Sequence, residues 1–203
     1  MTVPIGKYYK TFRGVHGILG GLSFIPAVIG AVMGDKSKNP NYFYPPLGDV
    51  SLIALIGTLA FGILSTYIVF VYCESSQRRL HPVAPVVLYF AAAVGFCVLI
   101  GLYIEFVKVV PISSEKTEVT VSTGYDRTAF VSSSRDLANL SDSELLHVRG
   151  PWEDQIQKLW TLNSIAVARV SLWIFYTCVL VCLVSISSFG VYQHAAASGA
   201  AGG

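Results

Sequence analysis

Four apolar runs, each long enough to cross a bilayer as a helix, constrain this chain more than any other feature. They cover residues 14–33, 51–72, 85–107, and a last run that starts at 165 or 170 and ends at 192. A helix rises about 1.5 Å per residue, so roughly 20 residues match a hydrocarbon core of about 30 Å. Backbone groups in lipid must be hydrogen-bonded within the segment, so runs of this kind are helices. They do not alternate in polarity as the strands of a membrane barrel would. Only 13% of the residues are charged, against about 25% in a soluble domain. The sequence therefore predicts an all-α membrane protein, a four-helix transmembrane bundle. A cleaved signal peptide fits the first run poorly, because it is too long and no small-residue cleavage site follows.

The segments between the runs divide the rest. Residues 1–13 form a basic tail with Lys7, Lys10 and Arg13, and residues 14–110 hold three spans and their short loops. Residues 111–164 form the only long polar region, 165–192 the fourth span, and 193–203 a small-residue tail that reads as disordered. The N-terminal tail and the second loop, with Arg78 and Arg79, carry five basic residues, whereas the short first loop carries only Lys36 and Lys38. The positive-inside rule then places both termini in the cytoplasm and the long loop outside. Asn139-Leu140-Ser141 in that loop is a glycosylation sequon.

Within the long loop, 118–121 and 127–131 read as two β-prone strands around a turn at 122–126. Ser141-Asp142-Ser143-Glu144 is a capping-box pattern for a short helix ending near Gly150. Pro151 suits the opening of the next helix. In that helix Trp152, Ile156, Leu159, Trp160 and Asn163 share one face. The helix is expected to run straight into the fourth span. It then serves as a stalk, lies at the headgroups, or packs its apolar face on the hairpin. The expected architecture is thus a bundle with a small exofacial domain of hairpin plus amphipathic helix between spans three and four.

Few residues are candidates for chemistry. Glu105 and Arg169 fall at similar depth near the outer ends of spans three and four and are expected to form an intramembrane ion pair. Cys73, at the inner end of span two beside Arg78-Arg79, is a candidate for palmitoylation. Cys178 and Cys182 read as small apolar residues. Gly17, Gly21, Gly30 and Gly34 have the four-residue spacing that lets membrane helices pack closely, with Pro26 between the pairs. His16 has no neighbour at metal-ligand spacing. No nucleophile elbow, phosphate-binding loop, dinucleotide fingerprint or metalloprotease motif occurs. No catalytic, cofactor-binding or metal residue is assigned, and no basic stripe suggests nucleic acid.

The short first outer loop, basic inner loop and long second outer loop resemble the layout of the tetraspanins. Their Cys-Cys-Gly motif and its disulfide partners are missing, so no family is assigned. The resulting expectation is a non-enzymatic tetraspan of the plasma membrane or an endomembrane, glycosylated and lipid-modified. It would be a scaffold, trafficking factor or auxiliary subunit, with the lipid bilayer and another membrane protein or a second copy as partners. The alternative is a small oligomeric channel or transporter with Glu105 and Arg169 near the pathway.

Overall fold

The structure, a computed structural model, describes residues 45–47, 51–76, 83–112 and 117–200. The first apolar run, with Gly17, Gly21, Gly30 and Gly34, lies outside the described residues, as does the inner loop with Arg78 and Arg79. Three helices among the described residues are long and apolar enough to cross a membrane. They are α1 (Ser51–Ser76), α2 (Val83–Phe106) and α7 (Leu162–Ala200). Their surfaces are apolar nearly all round, as expected of helices solvated by lipid rather than water. Phe90 and Ile104, for example, lie exposed on α2. Where the sequence suggests a disordered tail after Tyr192, the backbone stays helical to Ala200. The Ala195-Ala196-Ala197 run has the highest helix propensity of any residue type, and no proline interrupts it.

Helix α7 is the common packing partner of the other two. It runs parallel to α1, because Thr58 meets Thr177 at 3.0 Å and Ser65 meets Ser185 at 2.6 Å. It runs antiparallel to α2: Leu88 clusters with Phe189, whereas Leu99 clusters with Leu172 and Tyr176. Small residues permit the close approach. A Cβ on Gly57 would meet the Trp173 ring at 3.1 Å, and one on Gly95 would meet Val179 at 3.1 Å. The Trp173 indole donates to the Ala54 carbonyl at 3.0 Å and to the Thr58 hydroxyl at 3.1 Å. These side-chain bonds hold α1 to α7 where apolar burial supplies little driving force.

Between α2 and α7 lies a small domain. Helix α2 passes directly into strand β1 (Val107–Ile112), which pairs antiparallel with β2 (Thr117–Ser122) from Val107↔Ser122 to Ile112↔Thr117. The expected strand at 118–121 is present, but its expected partner is not. Residues Ala129–Ser133 wind into the short helix α3, and Arg127 makes only an isolated bridge to Trp160. The stronger partner is the β-branched run Val107, Val109, Val110 and Ile112, of which the sequence assigns only Val107 to the third apolar run. Alternation puts Val110, Val119 and Val121 on one face of this hairpin.

That face packs into a core with Val131 of α3, Leu137 of α4 (Arg135–Ala138), and Leu145 and Leu146 of α5 (Asp142–Arg149). Ile156 and Leu159 of α6 (Glu153–Leu159), Trp160, and Ile165 of α7 complete it. The capping box forms as expected: the Glu144 amide donates to the Ser141 hydroxyl, and the Ser141 amide donates to the Glu144 carboxylate at 2.7 Å. Hydrogen bonds from the Ser141 hydroxyl and then its amide lower the Glu144 pKa. The box therefore contributes stability above the unfolded carboxylate pKa and loses it as pH falls through the lowered one. Gly150 ends α5 at φ +92°, where a side chain would be strained.

Helix α6 does not run on into α7. It starts at Glu153, two residues after Pro151, and Trp160 leaves the helical region at φ −119°, ψ 151°. Its apolar face settles the choice among stalk, membrane surface and packing: Ile156, Leu159 and Trp160 are buried in the domain core, while Trp152 is exposed. A core of this kind has a measurable consequence. Leu146→Ala should destabilise the domain by about 2–5 kcal/mol, followed through the fluorescence of buried Trp160 on heating. Val148→Ala on the exposed side of the same helix should stay within about 0.5 kcal/mol of the parent. Equal effects of the two would mean that the domain lacks this core.

Candidate functional site

The described polar residues converge where the small domain meets the start of α7. Two sets of contacts build this junction. The first is a backbone clasp between residues 126–128 and 159–161. The Thr128 amide donates to the Leu159 carbonyl at 3.0 Å, and the Thr161 amide donates to the Asp126 carbonyl at 2.9 Å. The Thr128 hydroxyl adds a bond to the Lys158 carbonyl at 2.6 Å. This clasp captures the backbone groups that a continuous helix through Trp160 would have used, and so it breaks α6 from α7.

Glycine is needed beside the clasp. A Cβ on Gly124 would collide with the Ser164 hydroxyl and come within 3.0 Å of the Ile165 amide nitrogen. Ser164 itself donates to the Asp126 carbonyl at 3.2 Å. On the other side, the Thr123 amide and hydroxyl both donate to the Phe106 carbonyl, at 2.8 and 3.1 Å. That carbonyl belongs to the last turn of α2, where it has no partner within the helix. The loop at 122–126 therefore ties the end of α2 to the start of α7.

The second set centres on Arg169. Its Nε donates to the Ser122 hydroxyl at 2.9 Å, and its two terminal nitrogens donate to the two carboxylate oxygens of Glu153, each at 2.8 Å. The guanidinium is mostly buried, with 13% of the side chain exposed against 33% for Glu153. A two-pronged arginine–carboxylate bond is among the strongest polar contacts available to a protein. Ser122 ends β2, Glu153 begins α6, and Arg169 stands two turns into α7. One side chain thus fixes two elements of the domain on the long helix.

This overturns the expected pairing of Arg169 with Glu105. Glu105 lies exposed on α2 and makes no ion pair among the described residues. Its place in an apolar run singled out Arg169 in the sequence as a charge expected to be paired. The partner, Glu153, comes from the folded segment before the long helix, which position in an apolar run does not reveal. Glu153 stands off the apolar face of its helix, and nothing in its spacing links it to residue 169.

The other singled-out residues fall elsewhere. Asn139 is exposed at the end of α4, open to solvent. Cys73 is 1% exposed and packs with Val69 and Phe189, so its thiol does not face outward. Cys97 and Cys178 are exposed on α2 and α7, and Cys182 is intermediate. Among the described residues no three His, Cys, Asp or Glu side chains cluster in a way that would hold a metal ion. Elsewhere in the domain, Arg127 pairs with Asp142 at 2.9 Å and donates to the Ala138 carbonyl, joining α4 to α5. The sequence reading missed the Thr58–Trp173–Thr177 contacts, whose signal was the polar side chains set into otherwise apolar runs.

No protein-family model matches the chain, and no curated protein or solved structure matches it either.

The bidentate contact makes a clear prediction. Arg169→Gln and Glu153→Gln should each destabilise the protein by roughly 1.5–3 kcal/mol, the range for hydrogen bonds to charged groups. The double variant should recover part of the loss, because no charge is orphaned. Glu105→Gln should leave the melting temperature in lipid nanodiscs unchanged. Additive single effects at 153 and 169, or a large effect at 105, would contradict this assignment.

Proposed function

We propose that this chain is a non-enzymatic four-span integral membrane protein that presents a small exofacial domain to another membrane protein. It acts as a scaffold, trafficking factor or auxiliary subunit of a larger complex. In this reading residues 14–33 supply the remaining span and both termini are cytoplasmic. Asn139, exposed on the domain surface, is the glycan acceptor. Acylation of Cys73 does not belong to the proposal, because the thiol would first have to leave its packing against Phe189.

The observation that carries the reading is the Arg169–Glu153 clamp. The charge expected to mark a transport pathway is instead committed to holding the domain rigidly on a membrane helix. A domain fixed in this way keeps its outer surface in a constant orientation relative to the bilayer. That surface bears Phe130 with Arg149 stacked over its ring at 5.4 Å, and Val148 and Trp152, all exposed. Exposed aromatic and arginine side chains are the residue types enriched at protein–protein interfaces.

The test has two arms on the full chain. A photo-crosslinking residue at Phe130 or Trp152 should trap one protein at fixed stoichiometry in native membranes, whereas the same residue at Asp136 should not. The purified protein, reconstituted alone in liposomes, should pass neither ions nor small solutes. Flux that depends on Glu105 or Arg169 would replace this proposal with the channel alternative.

A further inference from the structure

The sequon Asn139-Leu140-Ser141 lies in a segment that the folded domain holds from both ends. The Ser141 hydroxyl donates to the Glu144 carboxylate at 2.7 Å and accepts from the Glu144 amide at 3.4 Å. Leu140 packs against the domain core, and its amide donates to the Leu137 carbonyl at 3.1 Å. One guanidinium brackets the triplet: Arg127 donates to the Ala138 carbonyl at 3.2 Å just before it and to the Asp142 carboxylate at 2.9 Å just after it. Asn139 itself has helical dihedrals, φ −92° and ψ −5°, where α4 ends. Its side chain is exposed, but the chain on either side is tied down.

Glycan transfer needs the opposite. The Asn139 amide nitrogen displaces the lipid diphosphate from the anomeric carbon of a lipid-linked oligosaccharide. A C–N bond forms, the C–O bond to the diphosphate breaks, and the amide gives one proton to a base of the transferase. An enzyme that draws this amide into its own active site must grip the chain on both sides of it. It also reads the hydroxyl two residues on, since only serine or threonine completes the sequon. In the folded domain that hydroxyl is engaged by Glu144, and the flanking chain by Arg127 and the core.

We infer that Asn139 accepts its glycan only before the domain folds, and that closure of the domain core ends the opportunity. This builds on the reading of Asn139 as an exofacial glycan acceptor and adds when the glycan is attached. Closure waits for chain made later than the sequon. The clasp to residues 159–161 holds the segment that carries Arg127, and Leu159, Trp160 and Ile165 complete the core. Ile165 follows Asn139 by roughly 26 residues, which a ribosome adds in about 1–5 s at about 5–20 residues per second. Transfer has that interval in which to act on an open chain. Afterwards it follows the small population of locally opened molecules. Occupancy of Asn139 is thus fixed by a race between transfer and folding of the domain.

The test uses full-length protein made in a host that does not glycosylate, held in lipid nanodiscs. It is incubated with purified oligosaccharyltransferase and a lipid-linked oligosaccharide, and a synthetic peptide of residues 135–145 serves as the open acceptor. The peptide should be glycosylated, and the folded protein at least about tenfold more slowly. Leu146→Ala leaves the sequon intact and weakens the core, so it should speed transfer to the protein by at least about tenfold. Glu144→Ala, which removes the capping box but keeps the core, should act in the same direction. In cells, a glycosidase-sensitive shift that Asn139→Gln abolishes reports whether the domain meets the transferase. If the folded parent is modified as fast as the peptide, or if neither variant speeds transfer, the folding gate is overturned and the glycan reading survives. If the peptide is not modified, or neither the parent nor Leu146→Ala carries a glycan in cells, Asn139 is not an acceptor and both fall.

Discussion

An arginine set two turns into a long apolar helix must be given partners, because an unpaired guanidinium at such a site is costly. Arg169 obtains them from above, through Glu153 and Ser122, and much of the surrounding arrangement is what this requires. Helix α6 must begin where Glu153 can present both oxygens, and β2 must end with Ser122 beside Nε. The backbone clasp at 126–128 holds α6 in that place, and Gly124 lets the loop lie flat on α7. The domain is thus more than a long loop: its core includes Ile165, a residue of the long helix itself.

Below the junction the same helix organises the apolar part of the molecule. Burial of apolar surface contributes little to helix association in lipid, so close approach and side-chain hydrogen bonds matter more. Thr58, Trp173 and Thr177 form one group of such bonds, and Ser65 with Ser185 another. Helix α7 therefore receives α1 and α2 along its length and the small domain at its N-terminal end. A change at that end bears on both parts, because Thr123 joins the same junction to the last turn of α2.

The three long apolar helices and the capping box were legible in the sequence, because each depends on local pattern: a run of apolar residues, or a serine three residues before a glutamate. The strand at 118–121 was legible for the same reason. Its partner was not, since Val107–Ile112 follows the third apolar run directly and Lys108 and Pro111 interrupt its pattern, so it looks like the start of the loop. The break at Trp160 was also hidden. The apolar spacing of α6 continues smoothly into α7, and the helix stops only because residues 126–128 take its backbone bonds. The Glu153 partner of Arg169 failed to show for a related reason. Pairing across folded elements leaves no spacing rule in the chain, whereas the cost of a buried charge does leave its mark on one residue.

The central claim is that Arg169 makes the small domain and the long helix one cooperative unit, and hydrogen–deuterium exchange tests it most directly. The intact protein in lipid nanodiscs is compared with its Arg169→Gln variant. The account predicts that peptides covering 117–128 and 153–161 lose protection together, including the amides of Thr123, Thr128 and Thr161, while 170–190 stays protected. Unchanged exchange in both peptides, or loss confined to the one that carries Glu153, would contradict it.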